Sequence, residues 1–375
     1  TPGRTCGEAF AAGVRALGAM SATLGAEPPA GCLAPGDLVM LINLQGAPGA
    51  TFNTGNHELL TVASITGAEV TFRAPKARRY GAGRDDDTNI GAGAGQQRVV
   101  LQRVPVFGDV TVAAGATLTV SAWDGQRGGV LAMRARRLVV DGDISVVARG
   151  YRNGAISVDD GSCSDSIATE RGESIEGPPV VTLSASAGAS GGLGPASGVG
   201  FASFNTLQPS AGHATPGEPG QNPNGRALGA PGSVYGVNDG TRLTLGSGAG
   251  GNNTCREGSF APFLEATVTL SGGILAVWAD AITVSASGVV SASGAQFSDP
   301  LSIREAASGG YVLLRANTLS LGTGRVTARG SAGEVHRGFR NRAGDGYVAI
   351  HHRDPIAGTT QPAAFTRTVS DPLAP

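Results

Sequence analysis

Apolar and polar residues alternate in short stretches along most of the chain, and glycines separate these stretches. Residues 272–294, GGILAVWADAITVSASGVVSASG, contain paired glycines, two apolar runs and a small-residue segment that ends in glycine. The same order recurs at 309–330 (GGYVLLRANTLSLGTGRVTARG) and 128–150 (GGVLAMRARRLVVDGDISVVARG), and a shortened copy begins at Gly344. Repeats of roughly 20 to 25 residues with short β-type segments are typical of a solenoid, whose coils stack around one core. The sequence therefore predicts an all-β solenoid over residues 101–352.

Three apolar segments precede the repeats. They are DLVMLINLQG at 37–46, HELLTVASITG at 57–67 and AEVTFRAP at 68–75. Short strands joined by tight turns are typical of a small antiparallel sheet. We therefore expect a small N-terminal β-barrel or sheet domain in residues 1–100. The apolar spacing at 7–24 allows a short helix, with strands as the alternative.

A stretch rich in Gly, Ser, Pro and Asn interrupts the repeats at about 151–271. Two interpretations are open: a disordered linker, or an ordered lateral lobe built from closely packed glycine backbone. We favour the lateral lobe because Cys163 and Cys255 bracket much of the stretch. A disulfide that closes so long a loop removes considerable entropy from the unfolded chain.

Residues 353–375 contain too many prolines for another coil and are expected to form an extended tail. One strand is predicted within it, with assembly contacts at Ala363, Phe365, Thr366, Thr368 and Val369. The ends of a solenoid expose unpaired backbone groups that invite association unless they are capped. The N-terminal domain is a candidate cap for one end. The tail is expected to cap the other end, to fold back along the solenoid, or to add as a strand to a neighbouring subunit.

Composition narrows the class of partner. The 60 glycines show no three-residue period, which excludes collagen. Only 15% of residues are charged and the net charge is −1, so neither a nucleic acid nor an anionic membrane surface is an expected partner. No apolar run approaches the roughly 20 residues that span a bilayer.

The four cysteines fall into two local pairs. We predict the disulfides Cys6–Cys32 and Cys163–Cys255, since neither pair has the CxxC spacing of a zinc site. Disulfides indicate an oxidising compartment. The chain opens with TPGRTCGEAF, which has neither an initiator methionine nor a leader, as expected of a mature form after signal-peptide removal. We therefore expect a secreted protein, either extracellular or at the cell surface.

Five aspartates are weak candidates for metal ligands, namely Asp85, Asp86, Asp87, Asp159 and Asp160. Carboxylate oxygens are the ligands that calcium prefers, so no cofactor is expected apart from calcium as a candidate. Consecutive residues rarely converge on one ion. The alternative is that these charges are solvated in exposed loops.

Cleavage of a polysaccharide needs carboxylates on neighbouring coils, with cations nearby. The candidate residues cluster in sequence: Asp159, Asp160, Asp165, Glu170 and Glu173, with Arg152 and Arg171. The alternative is that they stabilise turns through hydrogen bonds to the backbone.

None of the five histidines accompanies a GxSxG motif, and His351 and His352 alternate between faces of one strand. No catalytic residue is assigned, and Trp123 and Trp278 are predicted to be core or stacking residues.

The segments GDLVMLINLQG at 36–46, VTVAAGATLTVSAWDGQRGGVLAMRA at 110–135, RGYRNG at 149–154 and GES at 172–174 carry a family resemblance. The chain resembles large glycine-rich secreted or surface proteins of gliding and predatory bacteria, often labelled adventurous gliding motility or haemagglutinin-like proteins. The resemblance implies a right-handed parallel β-helix and a surface-associated or matrix role. It transfers no catalytic residues.

These observations together predict a secreted structural subunit of an extracellular assembly, filament or matrix. The subunit is expected to associate with itself or with other surface proteins through its solenoid ends and tail. The alternative function is a carbohydrate-binding adhesin with glycan partners, and the third is a polysaccharide lyase or hydrolase.

Overall fold

The computed structural model describes residues 6–7, 9–154, 157–158, 169–182, 210–221, 227–228, 231–250, 253–254, 271–295, 306–334 and 340–374. Every regular element in these residues is a β-strand, so the all-β prediction is confirmed for them. The same residues contain no helix that is long and apolar enough to span a lipid bilayer.

The N-terminal strands form an antiparallel barrel. They are β1 (Ala11–Leu17), β2 (Ser21–Leu24), β3 (Leu38–Gln45), β4 (His57–Thr66), β5 (Glu69–Phe72) and β6 (Arg98–Arg103). They close in the order β1-β2-β5-β4-β3-β6. Closure pairs both edges of the sheet. In β1 the residues Ala12 and Val14 are buried and their neighbours are more exposed, a period of two that fits a strand rather than the helix.

The remaining strands belong mostly to one parallel sheet. Its strands are β7 (Val106–Val112), β8 (Thr117–Leu118), β9 (Val130–Val140), β10 (Asp143–Ser145), β17 (Ile274–Val284), β18 (Val289–Ser291), β19 (Tyr311–Thr327), β22 (Tyr347–His352), β23 (Ala357–Gln361) and β24 (Phe365–Thr368). Four short two-stranded sheets complete the described set: β11 (Ser157–Val158) with β16 (Asn253–Thr254), β12 (Thr169–Arg171) with β13 (Val180–Thr182), β14 (Gly220–Gln221) with β15 (Ala227–Leu228), and β20 (Ala332–Glu334) with β21 (Arg340–Arg342).

The parallel sheet consists of two ladders. The first runs β7-β9-β17-β19-β22-β24, and the second runs β8-β10-β18, the end of β19, and β23. In the first ladder Ile274 lies opposite both Val130 and Tyr311, and Tyr311 lies opposite Tyr347. The sequence repeats therefore stack in the register that their alignment predicts, and the architecture is solenoid-like.

The paired glycines allow the coils to approach closely. A Cβ on Gly310 would overlap the carbonyl oxygen of Gly273, and a Cβ on Gly272 would overlap the backbone of Ala292 and Gly310. Any side chain at these positions would push neighbouring coils apart. The repeated glycines are thus a packing requirement of the stack.

Two hydrophobic clusters use opposite faces of the first ladder. Inward residues such as Leu131, Leu275 and Val312 form the core of the solenoid-like stack. The residues between them point outward and pack against the barrel strands β3 and β6, in a second cluster that includes Met40, Ile42, Val100, Val130, Ile274 and Tyr311. The barrel therefore lies on the flank of the stack.

The C-terminal region continues the stack. β23 adds to the second ladder beside β19, and β24 adds to the first ladder beside β22. The prolines that argued against another coil, Pro355 and Pro362, lie in the connections on either side of β23, where no ladder hydrogen bond is required of them. Leu373 then packs against the cluster between the barrel and the stack.

Candidate functional site

The junction between the barrel and the stack is polar as well as apolar. Gln102 Nε2 donates to the carbonyl of Val130 over 3.0 Å, and the hydroxyl of Tyr151 donates to the carbonyl of Leu44. Burial raises the pKa of Tyr151 well above its usual range, so this hydroxyl stays a donor. These bonds fix the barrel on the outer face of the first ladder.

A buried carboxylate connects the insertion to the barrel. Glu173 is fully buried and accepts hydrogen bonds from Arg152 Nε at 2.8 Å, Arg152 Nη2 at 3.0 Å, the Arg152 backbone at 3.0 Å and Gln45 Nε2 at 3.1 Å. The hydrogen bond to Glu173 raises the pKa of Arg152 further. Of the residues proposed for polysaccharide cleavage, this pair forms a structural ion pair, and Arg171 forms another with Glu176 at 2.9 Å.

An aromatic cluster holds the segment 231–245 on the first ladder. The ring of His213 stacks on Tyr235 at 4.5 Å and meets the edge of Tyr347 at 5.0 Å. Its nitrogens lie 2.7 Å from the Gly309 carbonyl and 2.7 Å from Thr244 Oγ1. Burial lowers the pKa of His213 to about 4, so the ring is neutral near pH 7.

Five side chains on neighbouring strands of the first ladder form a row on its outer face. We name this set the outer row, and its members in stacking order are Arg134, Trp278, Arg315, His351 and Arg367. Strands lie about 4.8 Å apart, so the row extends over roughly 19 Å. It therefore places three arginines at equivalent register positions across the coils.

The middle of the outer row contains two buried donors without an acceptor in the described residues. They are the indole Nε1 of Trp278, which is 1% exposed, and the Nε of partly buried Arg315. Burial lowers the pKa of Arg315, and the positive charges of Arg134 and Arg367 lower it further, whereas Asp371 opposes the shift. Asp371 is therefore the main counter-charge of Arg315.

Three neighbouring elements border the outer row. The carbonyl of Leu373 accepts from Arg134 Nη2 at 3.2 Å, and the carbonyl of Asp239 lies 2.8 Å from His351 Nε2. On the barrel side, burial lowers the pKa of His57 to about 4, with a smaller contribution from Arg315. The pKa of His351 is also lowered, mainly by burial and then by the nearby arginines. Both histidines are therefore neutral near pH 7.

The two ends of the first ladder form a second candidate surface. Among the described strands, β7 pairs with β9 alone and β24 pairs with β22 alone. Beside β7 a cleft of about 1100 Å³ opens between the first coil and the barrel. Its walls include Phe10, Phe107, Leu118, Leu131 and Met133, so the interior of the stack is accessible at this end.

The structure places the other predicted residues as follows. Asp87 pairs with Lys76 at 2.5 Å and with Arg79 at 3.0 Å, while Asp86 accepts from the backbone of Gly83 and Thr88. Asp85, Asp86 and Asp87 do not converge on a common point. Across the part of the chain that the structure describes, no three His, Cys, Asp or Glu side chains form a potential metal site.

The disulfide Cys6–Cys32 is present, with the two Cα atoms 5.1 Å apart. Cys163, Cys255, Asp159, Asp160 and Asp165 lie outside the described residues. Trp123 and Trp278 are buried, as predicted for core residues. Of the predicted assembly residues, Phe365, Thr366 and Thr368 lie in β24, Ala363 precedes it, and the backbone of Val369 bonds to His352.

The outer row was not among the sites predicted from the sequence. Its signal was nonetheless present, because each member except Arg367 is the fifth residue of its strand, counted from the repeat glycines. The inward apolar positions of these repeats predicted the core of the stack. The same alignment lists the outward residues, and three of them are Arg134, Arg315 and His351.

Comparisons with known proteins assign no family. No protein-family model matches the chain, and no curated protein matches it. Among solved structures, the chain is similar to the tailspike protein gp49 from Pseudomonas phage LKA1, with 12% identity and a TM-score of 0.17. The match covers 93% of this chain and 54% of the tailspike chain, so this chain spans about half of that protein's length. A TM-score this low is no basis for assigning a fold or a function, and the resemblance to surface proteins of gliding bacteria stays a prediction.

Proposed function

We propose that the chain is a secreted structural subunit of an extracellular surface assembly, and that subunits join end to end through the first ladder. The observation that supports this function is that β7 and β24 each pair with only one other strand among the described strands. The outer edge of each strand presents backbone N–H and C=O groups to a further strand. Edges of this kind are templates for association.

The direction of the strands favours a head-to-tail contact. β24 and β7 both run parallel to their neighbours in the first ladder. β7 of a second copy could therefore pair with the free edge of β24 and continue the parallel ladder. Such a contact joins two different surfaces and does not close on itself, which generates a filament. The second copy would also cover the apolar cleft beside β7.

The finer fold and the location are part of the same proposal. We infer that the stack is a right-handed parallel β-helix, because crossover connections between parallel strands are right-handed in about 98% of cases. The disulfide Cys6–Cys32 supports an oxidising, extracellular location.

Val106 tests the role of the β7 edge. It is the first residue of β7 and is 63% exposed, so Val106→Lys should leave the fold intact. A lysine on an edge strand opposes the docking of another strand, and we expect the association constant to fall roughly 10-fold or more. Val234→Lys is the matched control, since Val234 is 52% exposed and lies outside the sheet. Sedimentation velocity over a concentration series and electron microscopy measure the association.

The wild-type protein and Val234→Lys should form linear oligomers at rising concentration, and Val106→Lys should remain smaller. A monodisperse wild-type monomer at every concentration would refute the proposal. Equal association of the two lysine variants would move the contact away from β7.

A further inference from the structure

We propose that the segment 231–245 is an acid-released cover of the first ladder. Histidines at its contacts hold it in place near neutral pH, and their protonation releases it. This device goes beyond the assembly role, because it acts on the flank of the first ladder and not at its ends. Two observations carry it: the segment is attached mainly by side chains, and three of the chain's five histidines lie at its contacts.

The segment 231–245 lies on the first ladder without joining it. It contains no strand, although the strands beneath it are fully paired. The hydroxyl of Tyr311 accepts from the backbone N–H of Gly240 and donates to the carbonyl of Val237, both over 2.9 Å. The hydroxyl of Tyr347 donates to a further carbonyl of the segment over 2.8 Å. An element with so few backbone hydrogen bonds opens locally at a lower free energy than the sheet beneath it.

His213 is fully buried where the segment meets the ladder. Its Nδ1 donates to the Gly309 carbonyl, because a carbonyl oxygen only accepts, and the bare Nε2 therefore accepts from Thr244 Oγ1. Tyr235 of the segment and Tyr347 of β22 face the ring, and burial raises the pKa of both, so neither carries a charge. A proton on Nε2 would create a positive charge that touches no carboxylate of the described residues. Protonation therefore favours a conformation in which the ring reaches water.

His351 holds the middle of the segment. Its Nε2 donates to the carbonyl of Asp239 over 2.8 Å. Burial lowers the pKa of His351, and the charges of Arg315 on β19 and Arg367 on β24 lower it further, while the contacts with Asp239 oppose the shift. Asp371 is the counter-charge of Arg315. A protonated His351 would be a third cation beside two arginines, so acid weakens this contact as well.

His57 is linked to the segment through one carbonyl group. Its Nδ1 lies 3.3 Å from the carbonyl oxygen of Gly55, which also accepts from the backbone N–H of Leu243 over 2.8 Å. Burial lowers the pKa of His57 to about 4, with smaller contributions from Arg78 and Arg315. A third neutral imidazole therefore lies on the barrel side of the same segment.

The size of the effect follows from proton linkage. The pKa of His213 is about 4 with the segment in place and 6.5 for a solvated ring, so the open form binds the proton first. This difference shifts the opening equilibrium roughly 60-fold toward the open form between pH 7 and pH 4.5 for this one histidine. His351 and His57 shift it in the same direction, since their pKa values are also lowered in the closed form.

Amide hydrogen exchange measured by mass spectrometry tests the release, after each rate is corrected for the intrinsic effect of pH. Peptides from 231–245 should lose protection roughly 60-fold or more between pH 7 and pH 4.5, while peptides from β3 should lose much less. In His213→Gln the side-chain amide can still donate to the Gly309 carbonyl and accept from Thr244. We therefore expect the segment to remain closed at pH 7, and its loss of protection in acid to shrink roughly 10-fold or more.

Two variants serve as controls. His352→Gln should behave as the wild type, because His352 bonds to the Asp354 carbonyl and not to the segment. Tyr347→Phe removes an uncharged anchor, so it should loosen the segment by the same factor at both pH values. Hydrogen exchange at the C2 position of the imidazole rings follows the titration of His213 in the wild type and requires no variant.

Four outcomes would overturn the proposal. They are unchanged protection of 231–245 between pH 7 and pH 4.5, equal loss of protection in β3, equal acid sensitivity of His213→Gln and the wild type, and an ordinary pKa of 6.5 for His213 while the segment stays protected. The assembly proposal is independent of all four, because its readout is the effect of Val106→Lys on self-association.

Discussion

The ion pair of Glu173 and Arg152 provides the sharpest test of how the insertion is held. In Glu173→Gln the shape is kept, but one of two carboxylate oxygens becomes an NH₂ group. Each oxygen now accepts two hydrogen bonds: Oε1 from Arg152 Nη2 and Gln45 Nε2, and Oε2 from Arg152 Nε and the Arg152 backbone. In either orientation, the side-chain NH₂ group of the glutamine faces two hydrogen-bond donors, so two of the four hydrogen bonds are lost.

The size of the effect follows from charge and burial. Opposite charges about 4 Å apart attract by about 4 kcal/mol at an effective dielectric constant near 20. The Arg152 side chain is 24% exposed, so water screens part of this attraction. Removing one partner of a buried pair typically costs about 3 to 5 kcal/mol. We expect Glu173→Gln to lower the free energy of unfolding by about 3 kcal/mol, at the low end of that range.

Urea unfolding followed by tryptophan fluorescence measures this change. Trp123 is a suitable probe, since its ring meets the edge of Tyr151 at 5.9 Å, and Tyr151 precedes Arg152 in the chain. The double variant with Arg152→Gln should cost less than the sum of the single variants by about 2 kcal/mol. Arg136→Gln is the control, because its ion pair with Asp109 is exposed (62% and 46%) and should contribute less than about 0.5 kcal/mol.

The reasoning fails if Glu173→Gln and Arg136→Gln change the urea midpoint by the same small amount. It also fails if the two single variants are strictly additive. Either result would mean that the buried carboxylate is not coupled to Arg152 in solution.

Two further predictions concern packing and pH. Gly310→Ala should lower stability by about 1 to 3 kcal/mol, because its Cβ would overlap the Gly273 carbonyl, whereas Gly108→Ala meets no atom within 4 Å and should be nearly neutral in thermal denaturation. The pKa of His213 is about 4 in the folded protein and 6.5 ordinarily, so the unfolded chain binds the proton first and stability falls as the pH drops from 6.5 to 4. Urea midpoints across this window should decline less steeply in His213→Gln, and an unchanged slope would contradict the buried neutral histidine.

The repeats made the first ladder predictable from the sequence. The pairing of Ile274 with Val130 and Tyr311 follows from glycine pairs and apolar runs, which are local signals. The tail shows the limit of such signals. The number of prolines in the tail predicted that no further coil would form. A proline disrupts a sheet only when it lies within a strand, because it lacks the N–H group of the ladder hydrogen bond, and Pro355 and Pro362 lie between strands.

The candidate sites depend on contacts between distant residues, and these leave no local signal. Glu173 was selected for its carboxylate, but its partner Gln45 lies 128 residues away in the barrel. The positions of Arg315 and Trp278 are visible in the repeat alignment. Their burial is not, because it arises when the barrel and the segment 231–245 cover the outer face. Sequence therefore predicts the ladder and its register, whereas the environment of each site requires the fold.

The insertion between β9 and β17 has a consequence for synthesis on the ribosome. β9 ends at Val140, and the strand that pairs with it begins 134 residues later, at Ile274. At roughly 5 to 20 residues per second, the nascent chain exposes the open edge of β9 for about 7 to 27 s before its partner is made. An unpaired apolar strand edge is prone to aggregate during such a delay. The yield of folded protein should therefore depend more on chaperones or low expression, which limit aggregation of the open β9 edge, than on the stability of the finished stack.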